Sequence, residues 1–401
     1  MKLKTTFSGT AVLLAGLALA SPAAAGDFDM AMQQLQSGKF MDAAKEFQVL
    51  VEENPQWADG YHMLGVAFLK AGKPTEAIEN LSKAIELEGG KFEYHYNLAN
   101  AYQTQQKWGQ VVSVLNDAED LAPDDQMQYL VHQMRGNALA VQKKWAESID
   151  DLEKASSYKK DSATLLQLGK AYLALGHHDK AAERLKAGLA ESPGDVDSRA
   201  LLAESLINLG GATDGEAEKA KYYKQALAEA EEVARKRPSS GDALYLVGRA
   251  ALGAGNYPRA VEALDAAVAK DPKNCRALIN LGRAHLGAKN WDKALGPLDR
   301  AIACDSKLEM AWESKGFALQ QLKEYDAAIA AYERAIAIKP TSKSRLEEYI
   351  QVSRQNSATR EHNADVEKEE AEQERKVREE EARLAEEARK REEWKKRQDE
   401  K

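Results

Sequence analysis

The chain has 401 residues, 44% of them hydrophobic and 30% charged, with 26 Gly, 10 Pro and 2 Cys. That balance is too apolar for a disordered chain and too poor in cysteine for a disulfide scaffold, and the length favours several domains or a repeat array over one core. A formal net charge of -8 argues against duplex nucleic acid as a partner, since that contact relies on neutralising phosphates with Lys and Arg.

The first predicted element is an address rather than structure. Lys2 and Lys4 precede an apolar run from Ala11 to Ala20, and Ser21-Pro22-Ala23-Ala24-Ala25-Gly26 then supplies small side chains. This is the pattern of a signal peptide over 1–25, with cleavage expected after Ala25. The run is about half of the ~20 apolar residues that cross a bilayer, so no membrane span is expected once the signal is removed. Export to the periplasm of a Gram-negative bacterium is the simplest expectation.

Downstream, the sequence repeats itself every thirty-four residues. Trp312, Lys315-Gly316, Leu319, Tyr325, Ala328, Tyr332, Ala335 and Pro340 occupy slots that recur as Leu278, Leu281-Gly282, His285, Trp291, Ala294, Leu298 and Ala301. The slots return at Val247-Gly248, Ala251, Tyr257, Ala260 and Leu264, at Leu168-Gly169, Tyr172, Ala181 and Leu185, and at Leu64-Gly65, Phe68, Ala77 and Leu81. Nine units are expected over 26–342, starting near residues 24, 58, 92, 129, 162, 196, 241, 275 and 309. Within each, apolar residues recur at three- and four-residue intervals, first over about fourteen residues and again after a turn, which predicts a hairpin of two amphipathic helices. The Gly slot of the first helix faces an Ala slot in the second, so the two can pack closely. One hairpin cannot bury both of its apolar faces, so neighbours must stack.

These slots resemble those of the tetratricopeptide repeat family. The resemblance covers nearly everything from the signal segment to about residue 342, with Gly89, Lys160 and Ser306 standing where a terminal Pro is expected, and Ala31 and Ala99 in the Gly slot. It implies an all-α, right-handed superhelical solenoid whose concave wall, built from first helices, grips extended peptides or partner helices. Carried onto this sequence, the wall holds His62, Val66, Tyr96, Asn100, Gln133, Asn137, Leu166 and Lys170, then Tyr245, Arg249, Arg276, Ile279, Arg283, Glu313 and Phe317. Amides dominate early and cations later, which suits a guest with acidic side chains or a C-terminal carboxylate. The Lys/Asn clamp with which some relatives hold chaperone tails is not reproduced, because Asn97 and Asn100 lack the matching Lys.

Two interruptions follow. Gly211 to Tyr222 are extra residues in the sixth unit, with Asp214 as the expected cap of a long second helix running from Glu216 to Lys236. The insertion reads as a tolerated tip or as a docking element. After the last unit, Leu346, Tyr349 and Ile350 predict a capping helix over 343–357. From 358 to 401 the chain is almost wholly charged, with pairs such as Glu372/Lys376 and Glu374/Arg378 spaced four apart, acid first. A solvated single helix and a weak coiled coil are the two readings of that tail.

Cys275 begins the first helix of the eighth unit and Cys304 ends its second, so antiparallel packing brings them together. They form either a disulfide or two small buried apolar residues. No phosphate-binding loop, nucleophile elbow or zinc helix is present, and neither metal nor cofactor is expected. The expected function is a non-enzymatic scaffold that binds protein or peptide partners in envelope assembly, secretion or polymer export. An oligomerising spacer that uses the charged helix, and an accessory subunit of an enzyme complex, are the alternatives; the oligomeric state stays open.

Overall fold

Helix follows helix through residues 22–399, the part of the chain that the computed structural model describes, with no strand among the described residues. The expected signal segment lies outside the described residues as far as residue 21, and α1 begins at Pro22. In order the helices are α1 (Pro22–Gln36), α2 (Phe40–Glu53), α3 (Ala58–Lys70), α4 (Pro74–Leu87), α5 (Phe92–Thr104), α6 (Trp108–Glu119), α7 (Asp125–Val141), α8 (Trp145–Tyr158), α9 (Ser162–Ala174) and α10 (His178–Glu191). They continue as α11 (Val196–Ala212), α12 (Glu216–Lys236), α13 (Gly241–Gly253), α14 (Tyr257–Lys270), α15 (Cys275–Gly287), α16 (Trp291–Cys304), α17 (Glu309–Gln321), α18 (Tyr325–Ile338) and α19 (Lys343–Asp399). The chain divides into two compact units, one up to Leu201 and one from Leu202, with α11 contributing residues to both.

In the first unit, α1 packs on α2, α3 on α4, α5 on α6, α7 on α8 and α9 on α10, and each hairpin packs on the next. The close approach expected at the Gly slot is present, but the side chain it faces is the large one four residues after the Ala slot rather than the Ala itself. A Cβ on Gly65 would lie 2.6 Å from Leu81, and one on Gly136 would lie 2.7 Å from Leu152. Those leucines are fully buried, as are Phe47, Leu64, Leu115, Leu168 and Leu185. The second unit repeats the scheme with α13 on α14, α15 on α16 and α17 on α18. There a Cβ on Gly316 would meet Tyr332 at 2.7 Å. A second use of glycine joins hairpins: the ring of Tyr223 on α12 lies against Gly253 on α13, and that of Tyr257 on α14 lies against Gly287 on α15.

Most first helices end in a left-handed residue. At Gly72 (φ +75°) the Gly72 amide donates to the Leu69 carbonyl and the Lys73 amide to the Phe68 carbonyl, at 3.1 and 2.9 Å, so the last carbonyls of α3 are satisfied. Gly176 and Gly255 do the same, but Gln106, Lys143, Lys289 and Lys323 hold this conformation at φ between 57° and 65° without being glycine.

Three boundaries differ from expectation. The first helix of the fourth unit starts at Asp125 rather than near 129, because the Asp124 carboxylate accepts from the Met127 amide at 2.8 Å and caps it early. The long second helix of the sixth unit does span Glu216–Lys236, but Gly215, not Asp214, occupies its cap position, without a side-chain bond. The capping helix and charged tail are one continuous α19 of 57 residues, since no Gly or Pro interrupts the stretch. Its Leu346, Ile350 and Ser353 are buried and close the second unit over α18.

Candidate binding wall

In the first unit, the wall side chains are largely spent on one another. His62 on α3 is buried, its ring tilted over Tyr94 at 4.7 Å, and its Nε2 accepts from the Asn97 amide at 2.8 Å. Burial lowers its pKa to about 4, so the ring is neutral. Beside it the Tyr94 hydroxyl donates to Asp59 at 2.5 Å and Lys91 donates to the same carboxylate at 3.0 Å. Burial works against the Asp59 charge, but these two bonds outweigh it and hold the carboxyl below its usual range. Val66 is buried as well. On α5, Tyr96 stacks on Phe92 at 5.6 Å and Asn100 donates to the Tyr96 carbonyl at 3.0 Å, within its own helix. On α7, Gln133 donates to Tyr129 and Thr164, and the buried Oδ1 of Asn137 has no hydrogen-bond partner. Lys170 on α9 is exposed and makes no ion pair among the described residues.

In the second unit, the wall is more open and more cationic. The Arg249 guanidinium lies over the Tyr245 ring at 5.7 Å, donates to Asn208 at 3.3 Å and stands 3.8 Å from Glu204. Asn280 donates to the Tyr245 hydroxyl at 3.2 Å. Arg276 and Arg283, both on α15, are exposed and make no ion pair among the described residues. Ile279 between them is only 6% exposed. On α17, Glu313 pairs with Arg345 of α19, and Phe317 meets Trp291 edge-on at 5.9 Å. Beyond Phe317, α17, the start of α18 and α19 enclose an open cleft of about 490 Å³.

The wall reading therefore needs correction at three positions. His62, Val66 and Ile279 sit inside the stack, at 4%, 4% and 6% exposed, His62 beneath Tyr94 and Asn97 of the next hairpin, and so offer a guest little surface. The tail's Tyr349 and Val352 line the cleft although the wall expectation omitted them.

Two further features bear on chemistry. Cys275 and Cys304 are joined as a disulfide, with Cα atoms 5.8 Å apart, tying the start of α15 to the end of α16. Between α6, α7 and α8 lies a buried ionic cluster that the sequence reading passed over. Arg135 reaches Asp151 at 2.7 Å and Glu119 at 2.7 Å, and donates to Asn116 at 3.0 Å. The His132 Nδ1 pairs with Asp151 at 2.9 Å and its ring stacks on Tyr158 at 6.0 Å. Burial works against the charges of Asp151 and Glu119, but their hydrogen bonds, from His132 and Arg135 to the first and from Arg135 to the second, outweigh it and hold both carboxyls below their usual range. The available signal was positional: Arg135 stands in the slot that Leu64, Leu98, Leu168 and Leu281 fill elsewhere. No group of three or more His, Cys, Asp or Glu among the described residues is placed to hold a metal ion, and no helix there is long and apolar enough to cross a membrane.

Comparison with known proteins agrees with the hairpin geometry. Models described as tetratricopeptide repeats match residues 139–204, 216–274, 245–309 and 310–342, and a model described as TPR repeat matches 65–106. The heat shock protein STI1 of Saccharomyces cerevisiae is 38% identical over 68 residues, 17% of this chain and 12% of its own length. The chain thus spans about an eighth of that curated relative. The C-terminal part of a TPR repeat-containing protein from Cytophaga hutchinsonii superposes with a TM-score of 0.50 at 16% identity, over 63% of this chain and 99% of the other. A tetratricopeptide repeat protein from Parabacteroides merdae gives 0.46 at 14% identity, over 65% and 98%. With small-residue slots, left-handed turns and repeat models in register over more than half its length, the chain belongs to the tetratricopeptide repeat family.

Proposed function

We propose that this chain is an exported, non-enzymatic adaptor that holds segments of partner proteins on the first-helix wall of its second unit. Tetratricopeptide repeats mediate protein–protein interaction, and the observation that carries the finer reading is the pair of exposed, unpaired cations Arg276 and Arg283 on one helix face. A charge that is not neutralised within its own fold is available for an acidic side chain or terminal carboxylate of a guest. The disulfide supports export to an oxidising compartment such as the periplasm, because such bonds persist there and are rare in the cytosol.

The test is a photo-crosslinking residue placed in cells at Met310, with a second at Arg300, which is exposed on α16. Met310 is 47% exposed on α17 in the slot that Arg276 fills on α15, so both cations stay in place. A discrete adduct from the first position alone, in the periplasmic fraction, is the expected result. Equal labelling from both, or recovery of the protein only in the cytoplasm, sinks the proposal.

A second reading has its own observation. The 57 residues of α19 would extend about 85 Å at 1.5 Å per residue, and beyond Ser357 almost every described side chain is exposed. That suits a spacer, for which removing residues 359–401 would abolish function while loss of Arg283 would not.

A further inference from the structure

Helix α19 does more than close the second unit. Residues 346, 350 and 353 form the ridge that is buried over α18, whereas 349, 352 and 356 form a second ridge one step around the helix. That second ridge is only partly covered: Tyr349 stacks on Tyr332 of α18 at 5.6 Å yet remains 37% exposed, and Val352 is 45% exposed. With Phe317 and Tyr325 it lines the 490 Å³ cleft, whose remaining lining is the amides Gln320, Gln321 and Asn356 and the charged side chains Lys323 and Glu348. Apolar side chains held open to water beside amides are the composition of a side-chain pocket.

The position of the cleft within the repeat supplies its occupant. Arg249, Arg283 and Phe317 are the same slot of three successive first helices, each thirty-four residues after the last. Neighbouring packed helices lie about 8–10 Å apart, which is about three residues of extended chain at ~3.3 Å each. Arg249 is already engaged by Tyr245, Asn208 and Glu204, whereas Arg283 has no partner among the described residues.

We propose that this cleft takes a large apolar side chain of an extended partner peptide, and that an acidic residue three positions away in that peptide sits on Arg283. The proposal rests on the wall reading above and adds to it the pocket made by α19, which lies outside the repeats. Gln321 and Asn356 in the lining each carry both donor and acceptor, so they match the amide and carbonyl groups of a peptide backbone. The acidic side chain gives orientation and encounter rate, and the apolar one gives residence time.

The experiment is selection of a random dodecapeptide display library on the intact protein, followed by binding of a selected, fluorescein-labelled peptide. The expected outcome is enrichment of an acidic residue three positions from Phe, Leu or Met. Val352→Asp should then weaken the labelled peptide at least tenfold with a melting temperature changed little, since Val352 is 45% exposed, and Arg283→Glu should weaken it comparably. Enrichment of acidic peptides with no apolar position, insensitive to Val352→Asp but lost with Arg283→Glu, overturns the cleft and leaves the wall standing. No enrichment at all also overturns the cleft, and the crosslink at Met310 then decides the wall separately.

Discussion

The α7–α8 and α15–α16 hairpins have the same architecture and are pinned by opposite means. The first carries Arg135, His132 and Asp151 at its heart, reaching Glu119 of the preceding hairpin. The second has leucines and alanines throughout and a covalent bond across its open end. Buried charge holds only while every partner is present, because desolvation has already cost each ion several kcal/mol. A disulfide acts mainly on the unfolded chain and is indifferent to what surrounds it. The repeat therefore tolerates either device so long as its small-residue slots stay intact.

The largest effect should come from breaking the ionic side. Arg135→Ala removes the guanidinium shared by Asp151 and Glu119, leaving Glu119 with Lys154 at 3.5 Å, and should cost about 3–5 kcal/mol in chemical denaturation. Replacing His132, Arg135 and Asp151 together with Leu, Leu and Ala should be neutral or stabilising by about 1–4 kcal/mol. If the triple variant is as damaged as the single one, the cluster is more than a substitute for packing. The comparison is sharpened by Cys275→Ser with Cys304→Ser. A sequence separation of 29 residues predicts a loss of about 3–4 kcal/mol by loop entropy, with no dependence on pH between 4 and 7. Loss below ~1 kcal/mol would mean that α15 and α16 need no staple.

Acid separates the devices further. His62 is neutral in the folded chain with a pKa near 4, while in the unfolded chain it titrates near 6.5. The unfolded state therefore binds more protons in that window, and stability should fall as pH drops from about 6.5 to 4, by up to roughly 3 kcal/mol. His62→Gln should flatten that slope. The lowered carboxyls of Asp151 and Glu119 act lower: their stabilisation is complete above the ordinary carboxyl range and is lost as pH falls through their folded values. Urea titrations at pH 7, 5 and 3 distinguish the two steps; a single step at carboxyl pH would remove His62 from the account. The smallest effect belongs to the turns. Lys289 holds φ +59°, a conformation that costs a side-chain-bearing residue roughly 1 kcal/mol, so Lys289→Gly should raise stability by about 0.5–1 kcal/mol. A loss instead would show that the Lys289 side chain makes a contact of its own.

The hairpin fold was legible because its determinants are local and periodic. The Gly slot and its period could be read directly, although its partner is not the Ala slot that the spacing suggests but the large residue four positions on, Leu81 for Gly65 and Tyr332 for Gly316. The binding wall was less legible. Slot position places Arg283 and His62 alike on a first helix, yet one is exposed and the other lies under Tyr94 and Asn97, a contact thirty-odd residues away that the slot alone does not reveal. The ionic cluster was hidden because Arg135 meets residues 16 positions on either side, on two other helices, a spacing with no one-dimensional signature. The cap at Gly215 and the unbroken α19 were missed for a simpler reason: side-chain capping and a change in composition suggest boundaries, but the backbone needs neither to start or to continue.

The rings of Tyr223 and Tyr257, each seated against a glycine of the following hairpin, make the seams of the second unit directional. Such a seam is keyed: a hairpin offering alanine in place of Gly253 or Gly287 would press a methyl group into the ring. Copying or shuffling these modules would therefore misfit at the junctions, and their order is written into the chain one aromatic and one missing methyl at a time.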